Sequence, residues 1–246
     1  MDEWVIFGFG DFFSDIADLI HADHGHIKAI VNNLKRTDER LNSLEHRIKL
    51  LGYDIPLIEF DDFHPMAGEK YCLGFISRRD RLASKVKQAH GIIFSPLIHP
   101  TAYLGSNVCY GEGVIIGPHA VLAPNCRIGD LCIINRALSI GHDTEVGPLS
   151  FVGPGVSIAG MAKIGYGTTI GIGATIIDNI RIGSNSIIGA GAVVVKDVPD
   201  NVVFAGVPAK FLRNNDVPVA GVPAKSAGKN SPEPADPYAI ISIKLR

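Results

Sequence analysis

From Ile98 onward an apolar residue returns at every sixth position, through Leu104, Tyr110, Ile116, Leu122 and Ile128 to Ile188 and Val194, without an insertion. Four places after each leader the residue is usually small or β-branched, as at Ala102, Val114, Ala120, Cys126, Thr144 and Ser150. A period of six is neither the 3.6 of a helix nor the 2 of a plain strand. It suits a short strand and a corner, repeated. Within a strand the leader and the residue two before it share a face, so both series are predicted to point into an interior. Three such units close one triangular coil, which puts residue n directly beneath residue n + 18. At a rise of about 4.8 Å per coil the repeat makes a prism roughly 27 Å tall. Glycine follows the leader in 11 of the 17 hexads. There it is expected to relieve crowding beside the corner and to accept unusual φ. A β-sandwich would need turn signals every eight to twelve residues and uneven loops, which this stretch lacks. The outward positions Ile115, Val121, Ile133, Phe151, Ile187 and Val193 are apolar. Their burial is expected between subunits, and a homotrimer is expected.

Residues 1–95 follow other periods. Trp4–Phe7 is a predicted strand running into Gly8-Phe9-Gly10-Asp11, and Phe12, Phe13, Ile16, Ala17 and Ile20 then recur with helical spacing. Lys28–Val31 is a second strand ending in Asn32-Asn33. Thr37 starts a predicted helix with the stripe Leu41, Leu44, Ile48 and Leu51, stopped by Gly52. Ile55–Phe60, Tyr71–Ile76 and Ile92–Phe94 are further predicted strands, with a helix over Arg79–Ala89. The alternation implies a small parallel α/β domain of Rossmann-like type. Its first strand-to-helix turn, Gly8-x-Gly10, and the residues Asp11, Asn32 and Asn33 fit a nucleotide site at the strand ends. They fit a tight turn with no ligand equally well. After Val194 the period fails, and Ala205-Gly206-Val207-Pro208-Ala209-Lys210 recurs as Ala220-Gly221-Val222-Pro223-Ala224-Lys225. The expected organisation is an α/β domain over 1–95, a parallel β-helix over 96–210 and a flexible tail over 211–246.

Composition narrows the classes. Hydrophobic residues are 46% and charged residues 20% of 246, which rules out bulk disorder. A net charge of −2 argues against a partner held by charge, so neither nucleic acid nor a membrane surface is expected. No apolar run is long enough to span a bilayer. Cys72, Cys109, Cys126 and Cys132 follow no metal or disulfide spacing and are taken as reduced thiols in a cytoplasmic protein.

The groove between neighbouring prisms suits the extended arm of acyl-coenzyme A, and acyl transfer needs a base and an oxyanion donor, not a metal. The repeat holds three histidines. His99 falls at the end of the prism, while His119 and His142 both take turn positions, and stacking alone does not separate them. His142 has Asp143 beside it, able to fix its tautomer, and Gly160 stacked above it. The spacings of 20 and 23 residues do not suit the three-histidine zinc site of a γ-carbonic anhydrase. A non-catalytic trimeric scaffold is the other alternative.

Ile134-Asn135, Gly141-His142-Asp143, Val146-Gly147, Gly153-Pro154-Gly155, Ala159-Gly160 and Gly206-Val207-Pro208-Ala209-Lys210 together resemble the sialic-acid O-acetyltransferase-like group of hexapeptide acyltransferases. The pattern is similar to the bacterial N-acetyltransferases for nucleotide-linked 4-amino-4,6-dideoxy sugars, those of the bacillosamine and perosamine pathways. That resemblance implies a left-handed β-helix and acetyl-CoA as co-substrate. It implies a nucleotide-linked sugar amine as acceptor, in surface-glycan biosynthesis. By the same resemblance His142 is the general base, Asp143 its acidic partner and Gly160 the amide that meets the thioester carbonyl. Phe151, Ile172 and Ala190 fall where the coenzyme A arm is lined. Acetylation of a sugar hydroxyl is the near alternative.

Overall fold

The computed structural model describes residues 1–10, 12–32, 48, 54–76 and 79–216, in two compact units, Met1–Pro100 and Thr101–Arg246.

The first unit is a four-stranded parallel sheet of β1 (Glu3–Phe7), β2 (His26–Asn32), β3 (Leu57–Glu59) and β4 (Glu69–Leu73), in the order β3-β2-β1-β4. Helices α1 (Phe13–Ala22) and α2 (Arg79–His90) complete it. Trp4, Ile6, Phe7, Phe13, Ile16, Ile20 and Ile30 are fully buried, as the strand and helix periods require. The strand predicted over Tyr71–Ile76 is observed as Glu69–Leu73, and two further expectations change. Ile92–Phe94 forms no strand, with Ile92 and Phe94 buried and Ile93 exposed; the following Ser95 N–H donates to the Tyr71 carbonyl at 2.9 Å. The strand predicted over Ile55–Phe60 is only Leu57–Glu59, since Phe60–Asp62 tightens into a 3₁₀ turn. The helix predicted after Thr37 lies outside the described residues, Ile48 excepted.

The second unit is a left-handed parallel β-helix. Two-residue strands end on each leader, as in Arg127–Ile128, Ile133–Ile134 and Ser139–Ile140. Partners are spaced as the coil demands: Ile128 pairs with Val146, Ile134 with Val152 and Ile140 with Ile158. Three sheets form the faces of the triangle. One carries Arg127–Ile128, the second Ile133–Ile134 and the third Ser139–Ile140.

From Val114 onward both predicted inward series are inside; before it the expectation fails, with Ile98, Ala102, Leu104 and Val108 only half-buried and the leader Tyr110 41% exposed. Ile134 and Ile140 are fully buried, and so are Ala120, Cys126, Cys132, Thr144 and Ala162 two places before their leaders. Each buried aliphatic leader contributes about 1.5–3 kcal/mol of burial. The polar members of the inner series have a second task. Ser150 Oγ donates to the carbonyl of Gly165 at 2.9 Å, Thr168 Oγ1 to Gly183 at 2.7 Å and Ser186 Oγ to Pro199 at 2.6 Å. The coil turns these carbonyls inward at its corners, and a buried carbonyl needs a donor. Small hydroxyls and thiols supply it without overfilling the prism.

The glycine after each leader is explained by crowding alone. A Cβ on Gly129 would lie 2.5 Å from the Pro148 nitrogen, and one on Gly165 would lie 2.5 Å from that of Ser184. The expected unusual φ belongs two residues later, to Asn107, Asn125, Asp143, Gly155 and Gly173 among others. The chain turns its corner there, and the left-handed region is cheapest for Gly, Asn and Asp. Gly129→Ala is therefore expected to destabilise the fold by about 1–3 kcal/mol, because rigid backbone rather than a mobile side chain must yield. Thermal unfolding checks this, with Tm falling by about 2–4 °C per kcal/mol.

Ile115 and Ile133 are 1% exposed in the single chain, so these two outward residues need no second subunit to cover them, contrary to expectation. Val121 is 40% exposed in the single chain. At the far end, Val202–Ala205 pairs with Ile187–Ile188 and then turns antiparallel into Lys210–Asn214. The first copy of the doubled motif makes that hairpin turn, and regular structure continues past residue 210, where the sequence suggested a tail. The second copy lies outside the described residues, as does the strand-like Tyr238–Leu245. No helix among the described residues is long and apolar enough to cross a membrane.

Candidate active site

Of the candidate bases, the corner that follows Ser139–Ile140 carries His142 and Asp143. Asp143 occupies the left-handed position of the turn, with φ 55°. That conformation swings its carboxylate back toward the preceding ring, and Oδ2 lies 2.7 Å from His142 Nδ1. An ionised carboxylate only accepts, so Nδ1 carries the proton and donates. Nε2 is then left with a free lone pair. Asp143 is held below the usual carboxylate range, first by the hydrogen bond from His142 and second by one from Asn125. It stays ionised through the neutral range and keeps the tautomer fixed. The two side chains are 57% and 50% exposed, open to a reactant.

Gly160 lies one coil above, as the n + 18 rule predicts. A Cβ there would fall 2.8 Å from His142 Nε2 and 3.0 Å from Cε1, so the ring rests against a residue with no side chain. His119 sits at another corner and is itself the left-handed residue of its turn, with φ 56°. The structure adds geometry to the preference for His142 that the neighbouring Asp143 gave in the sequence.

Phe151 is half-buried on the face that holds Ile133. Ile172 is 53% exposed and Ala190 is exposed one coil above it, at the corner that follows this same face. Within one chain that corner is not the corner of His142. Among the described residues no group of three or more His, Cys, Asp or Glu side chains is placed to hold a metal ion.

The buried thiols Cys126 and Cys72 are poorly placed for nucleophilic chemistry. Cys126 lies in the interior against the Gly141 carbonyl, and burial pushes its thiol up. Burial pushes the Cys72 thiol up to about 12. A thiolate is the reactive form, so raised thiols are poor nucleophiles.

In the first unit Gly8, Asn32 and the Glu59 carboxylate all lie at the carboxyl ends of the parallel strands. Open α/β sheets bind their ligands at that edge. Asn32 is buried, and its Nδ2 donates to Glu59 Oε2 at 3.3 Å. The glycines are also explained by packing. Gly8 has φ 73°, and a Cβ on Gly10 would meet Phe75 Cβ at 2.7 Å. Asp11 and Asn33 lie outside the described residues. The sequence reading missed Glu59, whose only signal was an acidic residue ending a strand.

Comparison with known proteins adds the following. The chain matches the model of the bacterial transferase hexapeptide (six repeats) family over residues 161–196. Among solved structures, PerB from Caulobacter crescentus, in complex with CoA and GDP-perosamine, is 30% identical with a TM-score of 0.73. That match covers 86% of this chain and 98% of the other. The acetyltransferase domain of PglB from Neisseria gonorrhoeae FA1090, in complex with acetyl coenzyme A, is 27% identical with a TM-score of 0.71, over 85% and 98% of the two chains. WeeI from Acinetobacter baumannii AYE shares the fold at 23% identity and a TM-score of 0.69, over 85% of this chain and 100% of that one. No curated protein matches significantly.

Proposed function

Since this chain belongs to the sialic-acid O-acetyltransferase-like hexapeptide acyltransferases, the group of the nucleotide-linked amino-sugar N-acetyltransferases, we propose that it acetylates the amine of a nucleotide-linked 4-amino-4,6-dideoxy sugar. It is an acyltransferase, and acetyl-CoA is the donor. The relatives bound to CoA, acetyl-CoA and GDP-perosamine support this acceptor class. The observation that carries the mechanism is the His142–Asp143 pair, with Nδ1 tied at 2.7 Å and Nε2 turned onto Gly160.

His142 Nε2 accepts a proton from the sugar amine as nitrogen bonds to the thioester carbonyl carbon. The Gly160 amide donates to the oxygen as it gains charge. The carbon–sulfur bond then breaks, and the proton on Nε2 passes to the departing sulfur. Asp143 stays ionised and stabilises the imidazolium between these two transfers. No acyl-enzyme is involved, in keeping with the raised interior thiols.

Phe151, Ile172 and Ala190 line the pantetheine arm of the donor in this reading. They occupy another face and corner of the triangle than His142. The two sets therefore meet only where prisms adjoin, which favours a homotrimer with shared clefts. The nucleotide of the acceptor is held at the strand ends of the first unit, by the loop of Gly8, Gly10 and Asp11 and by Asn32 and Asn33. In this reading the reaction is a cytoplasmic step toward surface glycan.

Incubation with acetyl-CoA and nucleotide sugars that carry either an amine or a hydroxyl at C4 tests the acceptor. Acetylation is expected only with the amine, giving an amide that survives mild base. A base-labile ester formed on the hydroxyl sugars would overturn the amine assignment in favour of O-acetylation.

A further inference from the structure

Residues at the left-handed position of one corner stack at intervals of 18, and at the corner of His142 they are Asn107, Asn125, Asp143, Met161 and Asn179. Their φ angles lie between 55° and 64°, so successive side chains leave the backbone in the same direction, one above another. The first three are hydrogen-bonded. Asn107 Nδ2 donates to Asn125 Oδ1 at 3.2 Å, and Asn125 Nδ2 donates to Asp143 Oδ1 at 2.9 Å. The other carboxylate oxygen, Oδ2, meets His142 Nδ1 at 2.7 Å.

We propose that Asn125 is a positioning residue for the His142–Asp143 pair, and that Asn107 in turn positions Asn125. The direction of the ladder is set by chemistry. Asp143 can only accept, so Asn125 must present its NH₂ upward and its carbonyl downward, where only a donor fits; Asn107 supplies one. Each donation polarises the next bond in the series. The series ends at Asp143 because Met161, the next rung, offers it no donor.

The consequence concerns geometry. Asp143 is half exposed, and a carboxylate held by one bond would rotate toward water. With Oδ1 held by Asn125 and Oδ2 by His142, its torsion is fixed, and the imidazole plane with it. The charged neighbours of the ladder are Arg127 and Glu145, which line the cleft beside Asn107, Asn125 and Asp143. Among the described residues, Asn125 is the one side chain besides His142 that hydrogen-bonds the Asp143 carboxylate.

This inference rests on His142 being the base, and its test must separate the ladder from that premise. Asparagine also suits φ 64° for backbone reasons alone, so alanine at 125 would mix strain with loss of the amide. Glycine accepts that φ and removes only the side chain. Asn125→Gly is expected to lower kcat about tenfold, the loss of one hydrogen bond to a charged group at an open site. KM for both substrates should stay within about twofold. In an Asp143→Gly background the same substitution should cost nothing more, because the two act through one path.

A second readout needs no activity. The Asp143 carboxyl carbon, followed by NMR, should titrate at higher pH in Asn125→Gly than in the parent, since one of the bonds that lower it is gone. In Asn125→Asp the midpoint should rise further, as two carboxylates face each other. An unmoved titration overturns the ladder, as does an equal loss of kcat in both backgrounds. Retained turnover in His142→Ala would overturn the base instead, and the carboxyl titration would still decide what Asn125 holds.

Discussion

His142→Ala is expected to lower kcat by about a thousandfold, the middle of the range for a positioned general base and about 4 kcal/mol of barrier. The loss should fall on turnover and not on donor affinity, because the ring acts on the reacting amine and the coenzyme arm is held elsewhere. Steady-state kinetics with varied acetyl-CoA, and calorimetric binding of CoA to the variant, separate the two. The alanine leaves the corner intact: position 142 is not the left-handed residue of its turn, and the 57% exposed ring supports no core. Turnover within about tenfold of the parent would place the base on another residue.

Gly160→Ala carries the second largest effect, and it probes the stacking itself. The added methyl would sit 2.8 Å from Nε2, 3.0 Å from Cε1 and 3.1 Å from Cδ2 of His142, and these side-chain atoms are its nearest neighbours. Gly160 has no left-handed φ, so alanine costs the backbone nothing. The imidazole must therefore move while the coil stays. A displacement near 1 Å in a catalytic group costs about a hundredfold in rate. We expect kcat to fall by about that factor with Tm within about 2 °C of the parent, in contrast to Gly129→Ala, where Pro148 backbone is struck. Activity within about threefold of the parent would show that the ring is not set by its contact with the coil above.

The repeat was legible because it is a consequence of one-dimensional order. Each coil repeats the same three strands, so the n + 18 rule read from Ile98 to Val194 returns as the observed pairing of Ile134 with Val152 and of Ile140 with Ile158. The same rule also contained Asn125 and Asn107 beneath Asp143, a signal present in the chain and passed over. The φ preference was misassigned for a physical reason. Glycine serves both close approach and positive φ, and only the backbone shows that the two needs fall on different residues of the hexad. In the first unit the strands were found but their ends were not. Phe60 is as apolar as its predecessors, and nothing local announces that it begins a turn.

By itself, then, the sequence determined the coil, its period, its inward residues and the vertical neighbours of every corner, because these depend on side-chain alternation and chain length alone. Tertiary structure decided that His142 is the histidine held by a carboxylate. His119 and His142 both fall at turns, and the sequence offers Asp143 beside His142 without showing whether the two side chains meet. The two histidines differ in three dimensions because a left-handed φ at Asp143 brings a carboxylate to Nδ1, and a bare Gly160 leaves room for Nε2. Tertiary structure also decided that Ile115 and Ile133 are covered in the single chain, since burial depends on what lies across space and not along the chain.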